Sequence, residues 1–193
     1  MRQLITERGS ASAIRTAAES WNTDVGGRAS TQAGLLTKEA LETDNEWTGD
    51  AADRYGEAVT SQGRALTQIK TITDTLQTTL NEIATALKVY WVAIAIAFGT
   101  YVALMIGCII GAATVVATVP SLLAALGFSL TFLGAVATFS TNFANTLDEK
   151  KAKIDQQTTM DGAFANGTWP PAVANRTSDA SVRDRDKSDW TPK

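Results

Sequence analysis

The sequence has 193 residues, a formal net charge of -3, one cysteine and no histidine. A nearly neutral chain without a basic patch gives no indication of nucleic-acid binding. Because it also lacks a metal-ligand cluster, a nucleophile elbow and a phosphate-binding glycine loop, an enzyme is the least supported class, and we predict no catalytic residue, no metal site and no cofactor.

The N-terminal part of the chain begins with an amphipathic pattern. Apolar residues recur at intervals of three, four or seven, at Leu4, Ala11, Ile14, Ala18, Trp21, Val25, Ala29 and Leu36. This periodicity predicts a helix with one apolar face. Gly26 and Gly27 lie inside the pattern, and each glycine costs a helix about 1 kcal/mol relative to alanine. They therefore predict a weak point or kink.

A second amphipathic pattern follows a turn signal. The segment Trp47-Thr48-Gly49-Asp50 interrupts the first pattern, and apolar positions resume at Tyr55, Val59, Leu66, Ile69, Leu76, Leu80, Ile83 and Leu87. Two such helices joined by a short turn predict an antiparallel helical hairpin that pairs in the manner of a coiled coil. Trp47 either closes the open end of the hairpin by packing between the helices or serves as a recognition element.

This order of elements resembles the WXG family. The resemblance rests on the run Trp47-Thr48-Gly49-Asp50-Ala51-Ala52-Asp53-Arg54-Tyr55, and it covers residues 1 to about 88. Members of that family are small helical hairpins and substrates of the type VII (ESX) secretion systems, chiefly of actinobacteria and related Gram-positive bacteria. The resemblance implies that Trp47, Gly49 and Tyr55 form the family motif and that the hairpin pairs with another WXG-like hairpin or with a second copy of itself.

The sequence departs from that family in two respects. Family members carry a secretion signal just after the second helix, a tyrosine with an acidic residue four positions later. Here Tyr55 is followed at that spacing by Val59, and Tyr90 by Ile94. Typical members are also soluble and much shorter than this chain. Two explanations remain open: a partner protein carries the secretion signal, or this chain stays in the membrane.

The central part of the chain is free of charge, with no Asp, Glu, Lys or Arg over residues 89–144. A membrane-spanning helix needs about 20 mainly apolar residues, so this run is long enough for two. Pro120 lies near the middle of the run and predicts the turn, because proline suits the first turn of a helix. We therefore expect two transmembrane helices, roughly at 89–118 and 121–145. The alternative is a buried helical hairpin of a soluble protein.

The start of this run carries the signals of a membrane interface. Lys88 is the last charge before it, and Tyr90 and Trp91 follow, a combination typical of an interface anchor. No turn signal separates them from the preceding pattern, so we expect one continuous helix over residues 50–118. Further lysines follow residue 147. By the positive-inside rule, both termini then face the cytoplasm or another compartment of insertion.

Glycines are frequent in the apolar run. Gly107 and Gly111 are four residues apart, and Gly127 and Gly134 repeat at seven. Small residues let membrane helices approach closely, so these four predict tight packing within the hairpin or between copies. The alternative is that glycine is simply common in membrane helices. No ionisable residue lies in the run, which argues against a proton relay or a voltage sensor.

Together these patterns predict an all-α protein in three parts. Residues 1–88 form the WXG-like helical hairpin with its Trp-x-Gly turn, 89–147 the two-helix transmembrane hairpin, and 148–193 a polar, largely disordered tail. The leading hypothesis is a non-enzymatic type VII secretion-associated protein of the cell membrane, with the lipid bilayer and a helical hairpin as its partners. The alternative is an effector that is secreted by the type VII route and inserts as an oligomeric pore or scaffold.

Overall fold

The computed structural model describes residues 9–41, 47–48, 50–113, 118–159, 162–164, 167–170 and 191–192. Apart from one short strand pair, the elements in this part of the chain are helices, which confirms the all-α fold class. The strands β1 (Trp47–Thr48) and β2 (Thr191–Pro192) pair antiparallel. The side chain of Trp47 and the whole of Gly49 lie outside the described part, so the Trp-x-Gly turn stays a prediction.

Four short helical segments open the described chain. They are α1 (Ala11–Ser20), a π-helical segment (Trp21–Gly27), α2 (Arg28–Leu35) and α3 (Lys38–Leu41). Hydroxyl groups cap two of them. Ser10 Oγ accepts a hydrogen bond from the Ala13 N–H at 3.2 Å, and Thr37 Oγ1 accepts one from the Ala40 N–H at 3.1 Å. Such caps satisfy N–H groups that have no partner in the first turn of a helix.

The next helix, α4, spans Asp50–Ala112 and is 63 residues long. It passes Lys88 without interruption, which confirms the predicted continuity of the amphipathic and apolar patterns. It ends at Ala112, six residues before the expected position 118, and residues 114–117 lie outside the described part. No proline occurs within α4, so no missing N–H interrupts its hydrogen-bond pattern.

The last helix, α5, spans Thr118–Thr159 and is 42 residues long. Pro120 lies in the first turn of α5 and not in the connection before it. A residue in the first turn of a helix has no helical acceptor for its N–H, so a proline loses no hydrogen bond at this position. The helix continues past the expected end of the transmembrane segment at residue 145, so residues 148–159 are helical and the prediction of a largely disordered tail from residue 148 is wrong for them. Seven of the twelve residues from 148 to 159 are lysine, glutamine, alanine or glutamate, which all have high helix propensity.

The chain forms two compact units. The first comprises Met1–Arg15 and Thr79–Ala152, and the second comprises Thr16–Thr78 and Lys153–Lys193. Among the described residues, the buried apolar side chains are Ala84 and Leu87 in the first unit and Ala18, Ala29, Val59 and Ala65 in the second. Most of them are alanine. Short side chains at a helix contact allow a small distance between the helix axes.

The π-helical segment decides which N-terminal residues face α4. Ala18 and Ala29 are buried, as the apolar periodicity predicts, but between them Gly26 is buried while Trp21 and Val25 are 51% and 37% exposed. The expectation that Trp21 and Val25 lie on the face that packs against the second helix is therefore wrong. A π turn bonds i→i+5 and contains an extra residue, so the inward positions shift by one, to Asn22 and Gly26.

Polar side chains join the π-helical segment to α4. Asn22 Nδ2 donates a hydrogen bond to Asp74 Oδ1, which also accepts one from Lys70 Nζ. The Lys70 bond first, and the Asn22 bond second, hold the pKa of Asp74 below its ordinary value of 3.8. A carboxylate with a lowered folded-state pKa adds stability above its unfolded pKa, and this contribution disappears as the pH falls through the folded pKa.

We expect Asp74→Asn to weaken the second unit at neutral pH and to reduce the loss of stability that acid causes below about pH 3.8. The readout is hydrogen-exchange protection of residues 16–35 at pH 6 and pH 3, corrected for intrinsic exchange. Asp53→Asn, at an exposed position of the same helix, is the matched control. Equal acid sensitivity of the wild type and Asp74→Asn would contradict the assignment.

Candidate membrane-facing surface

Within the first unit, the apolar halves of α4 and α5 run antiparallel. Contacts spread along the pair include the hydroxyls of Tyr90 and Ser140 at 3.3 Å, those of Tyr101 and Ser129 at 3.3 Å, and the close approach of Gly111 to Ser121. From one contact to the next, the residue number in α4 increases while the number of its partner in α5 decreases. The two helices therefore lie side by side over the whole apolar segment.

Aromatic rings fill the space between the two helices. Tyr90 stacks on Phe143 with ring centroids 5.2 Å apart, and Tyr101 stacks on Phe132 at 5.0 Å. Phe98 lies 6.1 Å from the same Phe132 ring. Ring pairs at such distances add about 0.5–1.5 kcal/mol beyond the area that they bury. Tyrosine hydroxyls and stacked rings thus contribute to the contact between the two helices.

The outer surface of this helix pair is apolar and uncovered. Both helices are long and apolar enough to cross a membrane. In the most apolar 18-residue stretch of each helix, only 6% (α4) and 0% (α5) is buried. The exposed fraction is 54% for Phe98 and 71% for Leu130. Other exposed side chains are Val92, Ile96, Ile106, Ile109, Ile110, Leu122, Leu123, Leu126 and Leu133. The described residues therefore do not bury this hairpin, in contrast to the alternative prediction.

The length of the uncovered surface matches a bilayer. Helix α4 advances about 32 Å from Tyr90 to Gly111, at 1.5 Å per residue. Helix α5 advances about 29 Å from Ser121 to Ser140 by the same measure. The hydrocarbon core of a bilayer is about 30 Å thick. The Tyr90–Ser140 contact and the Gly111–Ser121 contact thus stand one hydrocarbon thickness apart.

Charged groups begin beyond Tyr90. Lys88 is exposed, and Lys150 Nζ lies 3.0 Å from Glu82 Oε2 and 3.2 Å from Glu149 Oε1. The hydrogen bond to Glu82 first, and that to Glu149 second, raise the pKa of Lys150 above its ordinary value. Lysines next to an aromatic pair are typical of the boundary between hydrocarbon and headgroups. The interface residues Lys88, Tyr90 and Trp91 therefore lie at the charged end of the helix pair.

The four predicted packing glycines differ in their surroundings. A Cβ at Gly111 would lie 2.6 Å from Ser121 Oγ, so this glycine lies directly against α5. A Cβ at Gly107, Gly127 or Gly134 would meet nothing within 4 Å. These three therefore do not pack within the described helix pair. For them, packing between copies stays a prediction.

Of the three predicted motif residues, the structure describes the backbone of Trp47, in β1, and the whole of Tyr55. Tyr55 lies on the second turn of α4 and is 37% exposed. The structure therefore leaves open whether Trp47 closes the hairpin or serves in recognition.

Comparisons with protein-family models, curated proteins and solved structures find no match to this chain. The surface must be interpreted from its own chemistry. Sequence patterns did not pair Tyr90 with Ser140 or Tyr101 with Ser129. The sequence does contain one signal for such pairs. Each tyrosine hydroxyl lies in an otherwise apolar run, where it needs a polar partner.

We expect Tyr101→Phe to weaken the helix pair modestly, because it removes the hydroxyl but keeps the ring against Phe132. Hydrogen bonds between membrane helices average about 0.6 kcal/mol in double-mutant cycles. The readout is the unfolding free energy in mixed micelles for Tyr101→Phe, Ser129→Ala and the double variant. A coupling energy of zero would show that the 3.3 Å contact contributes nothing.

Proposed function

We propose that this chain is a non-enzymatic, type VII (ESX) secretion-associated membrane protein. In this proposal, the apolar parts of α4 and α5 form a transmembrane hairpin, and the N-terminal helices pair with a second WXG-like hairpin. The observation that carries the proposal is the bilayer-length apolar surface that the described residues leave uncovered. A monomeric soluble protein rarely exposes a contiguous apolar patch of more than a few hundred Å².

Two observations support an orientation with both termini on one side. The charged groups Lys88 and Lys150 lie at the same end of the antiparallel pair. The connection at the other end, residues 113–117, contains no charged residue. Positively charged flanks stay in the compartment from which insertion occurs. We therefore place both termini in the cytoplasm.

The proposed partner surface lies on the N-terminal helices. Trp21, Val25 and Leu35 are exposed there, on the π-helical segment and α2. Tryptophan is enriched among residues that dominate binding energy at protein interfaces. The WXG-like order of elements supports a helical hairpin as the partner, either a distinct protein or a second copy.

The experiment has two arms. Cells that express the full chain are separated into medium, envelope and cytoplasm, and the envelope is washed with alkaline carbonate. We expect the chain in the carbonate-resistant envelope. The chain is then purified in a mild detergent together with a candidate small helical protein. Trp21→Ser should reduce co-purification, while Trp169→Ser, at an exposed position of the tail, should not. Recovery of a soluble monomer would contradict the proposal.

A secreted, membrane-active effector is the second candidate. The observation that favours it is the open space at Gly107, Gly127 and Gly134, where a neighbouring copy could approach the helices closely. An oligomer of such hairpins would form a pore or scaffold. Dye release from phosphatidylcholine vesicles separates the two functions, since the anchored protein leaves the dye inside.

A further inference from the structure

The N-terminal helices of the second unit carry a regular stripe of exposed residues. The π-helical segment joins α2 without a gap, and Ser20 and Gly27, at the two ends of this segment, keep helical backbone angles. Along residues 17–35, exposed positions recur at alternating spacings of four and three. We call them the outer stripe: Ala17, Trp21, Asp24, Arg28, Thr31 and Leu35. This alternation is typical of a helix that packs along a second helix.

The outer stripe follows the packed face along the helices. One of its residues comes one or two positions before each of the buried residues Ala18, Gly26 and Ala29. The stripe therefore runs along the exposed side of these helices from residue 17 to residue 35.

The outer stripe is apolar towards its ends and charged at its centre. Trp21 and Leu35 are 51% and 55% exposed. Asp24 and Arg28 are exposed too, and neither forms an ion pair with a described residue. The hydroxyl of Thr31 donates to the carbonyl four residues earlier at 3.0 Å, so it needs no partner on another chain. A complementary surface has to present a cation opposite Asp24 and an anion opposite Arg28.

A second copy in antiparallel orientation presents these charges in the required order. Arg28 of that copy then lies opposite Asp24, and by two-fold symmetry its Asp24 lies opposite Arg28. A parallel pair would instead place Asp24 against Asp24 and Arg28 against Arg28, and contacts between like charges are unfavourable. The antiparallel register also pairs each large side chain of the stripe with a small one, in the pairs Trp21–Thr31 and Leu35–Ala17.

We propose that the outer stripe binds the outer stripe of a second copy of this chain, in an antiparallel, two-fold pair with reciprocal Asp24–Arg28 ion pairs at its centre. This inference rests on the proposed pairing of the N-terminal helices and names the partner. Exposed ion pairs contribute little to affinity, so the two charges set the register and orientation. Burial of Trp21 and Leu35 supplies most of the binding energy.

Cross-linking tests the register. Full-length chains in a mild detergent carry Cys108→Ser and one new cysteine, Ala17→Cys in one preparation and Leu35→Cys in the other. A short bis-maleimide should join the two preparations when they are mixed, whereas each alone should give at least tenfold less product. In the antiparallel pair, the two copies of residue 17 lie about 27 Å apart, at 1.5 Å per residue. Cross-links mainly between like cysteines would overturn the proposal.

Charge reversal with the same cysteine reporters tests the ion pairs at low ionic strength. Asp24→Arg in both chains, or Arg28→Asp in both, should lower cross-linking about tenfold, because two attractive contacts become repulsive. A mixture of Asp24→Arg chains with Arg28→Asp chains should recover the yield, since both contacts again join opposite charges. Glu19→Arg reverses an exposed acid outside the stripe and should stay within twofold. A mixture that does not recover, or reversals that behave like Glu19→Arg, would overturn the pairing.

Vesicle flotation separates this proposal from the proposed function. If the wild type floats with phosphatidylcholine vesicles but the mixed cysteine variants do not cross-link, or cross-link only to a co-purified small helical protein, the second copy is not the partner and insertion is unaffected. A wild type that does not float overturns the proposed membrane hairpin, and cross-linking still decides the pair. Flotation together with cross-linking of the mixed variants supports both.

Discussion

Leu130→Asp is expected to prevent stable insertion of α5. Leu130 lies midway between Ser121 and Ser140, and its side chain is the most exposed of the large apolar residues on the helix pair. An aspartate at the centre of a membrane helix costs about 3 kcal/mol on insertion scales, and its short side chain cannot reach the interface. The partition into vesicles should therefore fall about a hundredfold, measured by flotation with phosphatidylcholine vesicles.

Two control variants accompany this change. Leu130→Ala shortens the side chain but keeps it apolar, and it should float nearly as well as the wild type. Thr159→Asp adds the same charge at the exposed end of α5, beyond the apolar segment, and should not change flotation. If Leu130→Asp floats as well as Leu130→Ala, the exposed face of α5 does not meet lipid.

Gly26→Ala is expected to cause the largest loss of stability in the second unit. A Cβ at Gly26 would overlap Thr73 Oγ1 and lie 3.1 Å from Thr73 Cβ. Thr73 is buried and its hydroxyl already donates to the Lys70 carbonyl at 2.9 Å, so it has little freedom to move. Overpacking of this kind costs about 1–3 kcal/mol. Local opening of residues 16–35, measured by hydrogen exchange, should rise about thirtyfold for 2 kcal/mol.

A matched glycine and a second-site change test the cause. Gly34→Ala lies in the neighbouring helix α2, where a Cβ would meet nothing within 4 Å, so it should stabilise slightly through helix propensity. Thr73→Ala removes the clashing hydroxyl, and the double variant with Gly26→Ala should recover part of the loss. Equal effects of Gly26→Ala and Gly34→Ala would contradict close approach at Gly26.

The two long helices follow from chain chemistry alone. An uncharged, apolar run of this length is typical of membrane-spanning helices. Because no proline precedes Pro120, nothing interrupts the helical hydrogen bonds of α4 at Lys88. The end of α4 was harder to predict. Threonine, valine and alanine follow Ala113, and β-branched residues lower helix propensity only slightly. Pro120 was the stronger signal, but a proline is tolerated inside the first helical turn.

The packing details depend on neighbours that periodicity cannot supply. An uninterrupted 3.6-residue repeat places Trp21 and Val25 inward, and a single π turn moves them outward. Gly107 and Gly111 share a spacing motif, yet only Gly111 meets the other helix, because the facing residue belongs to α5. None of these contacts is encoded in the spacing along one helix.

Thiol accessibility tests most directly whether lipid covers the apolar helix pair. In a Cys108→Ser background, single cysteines replace Phe98, Leu130 and, as the aqueous reference, Lys88, and each protein is placed in phosphatidylcholine vesicles. All three positions are exposed on the protein itself. With a water-soluble maleimide, we predict that Lys88→Cys reacts readily and that Phe98→Cys and Leu130→Cys react at least a hundredfold more slowly. Similar rates at all three positions would mean that water and not lipid covers this surface.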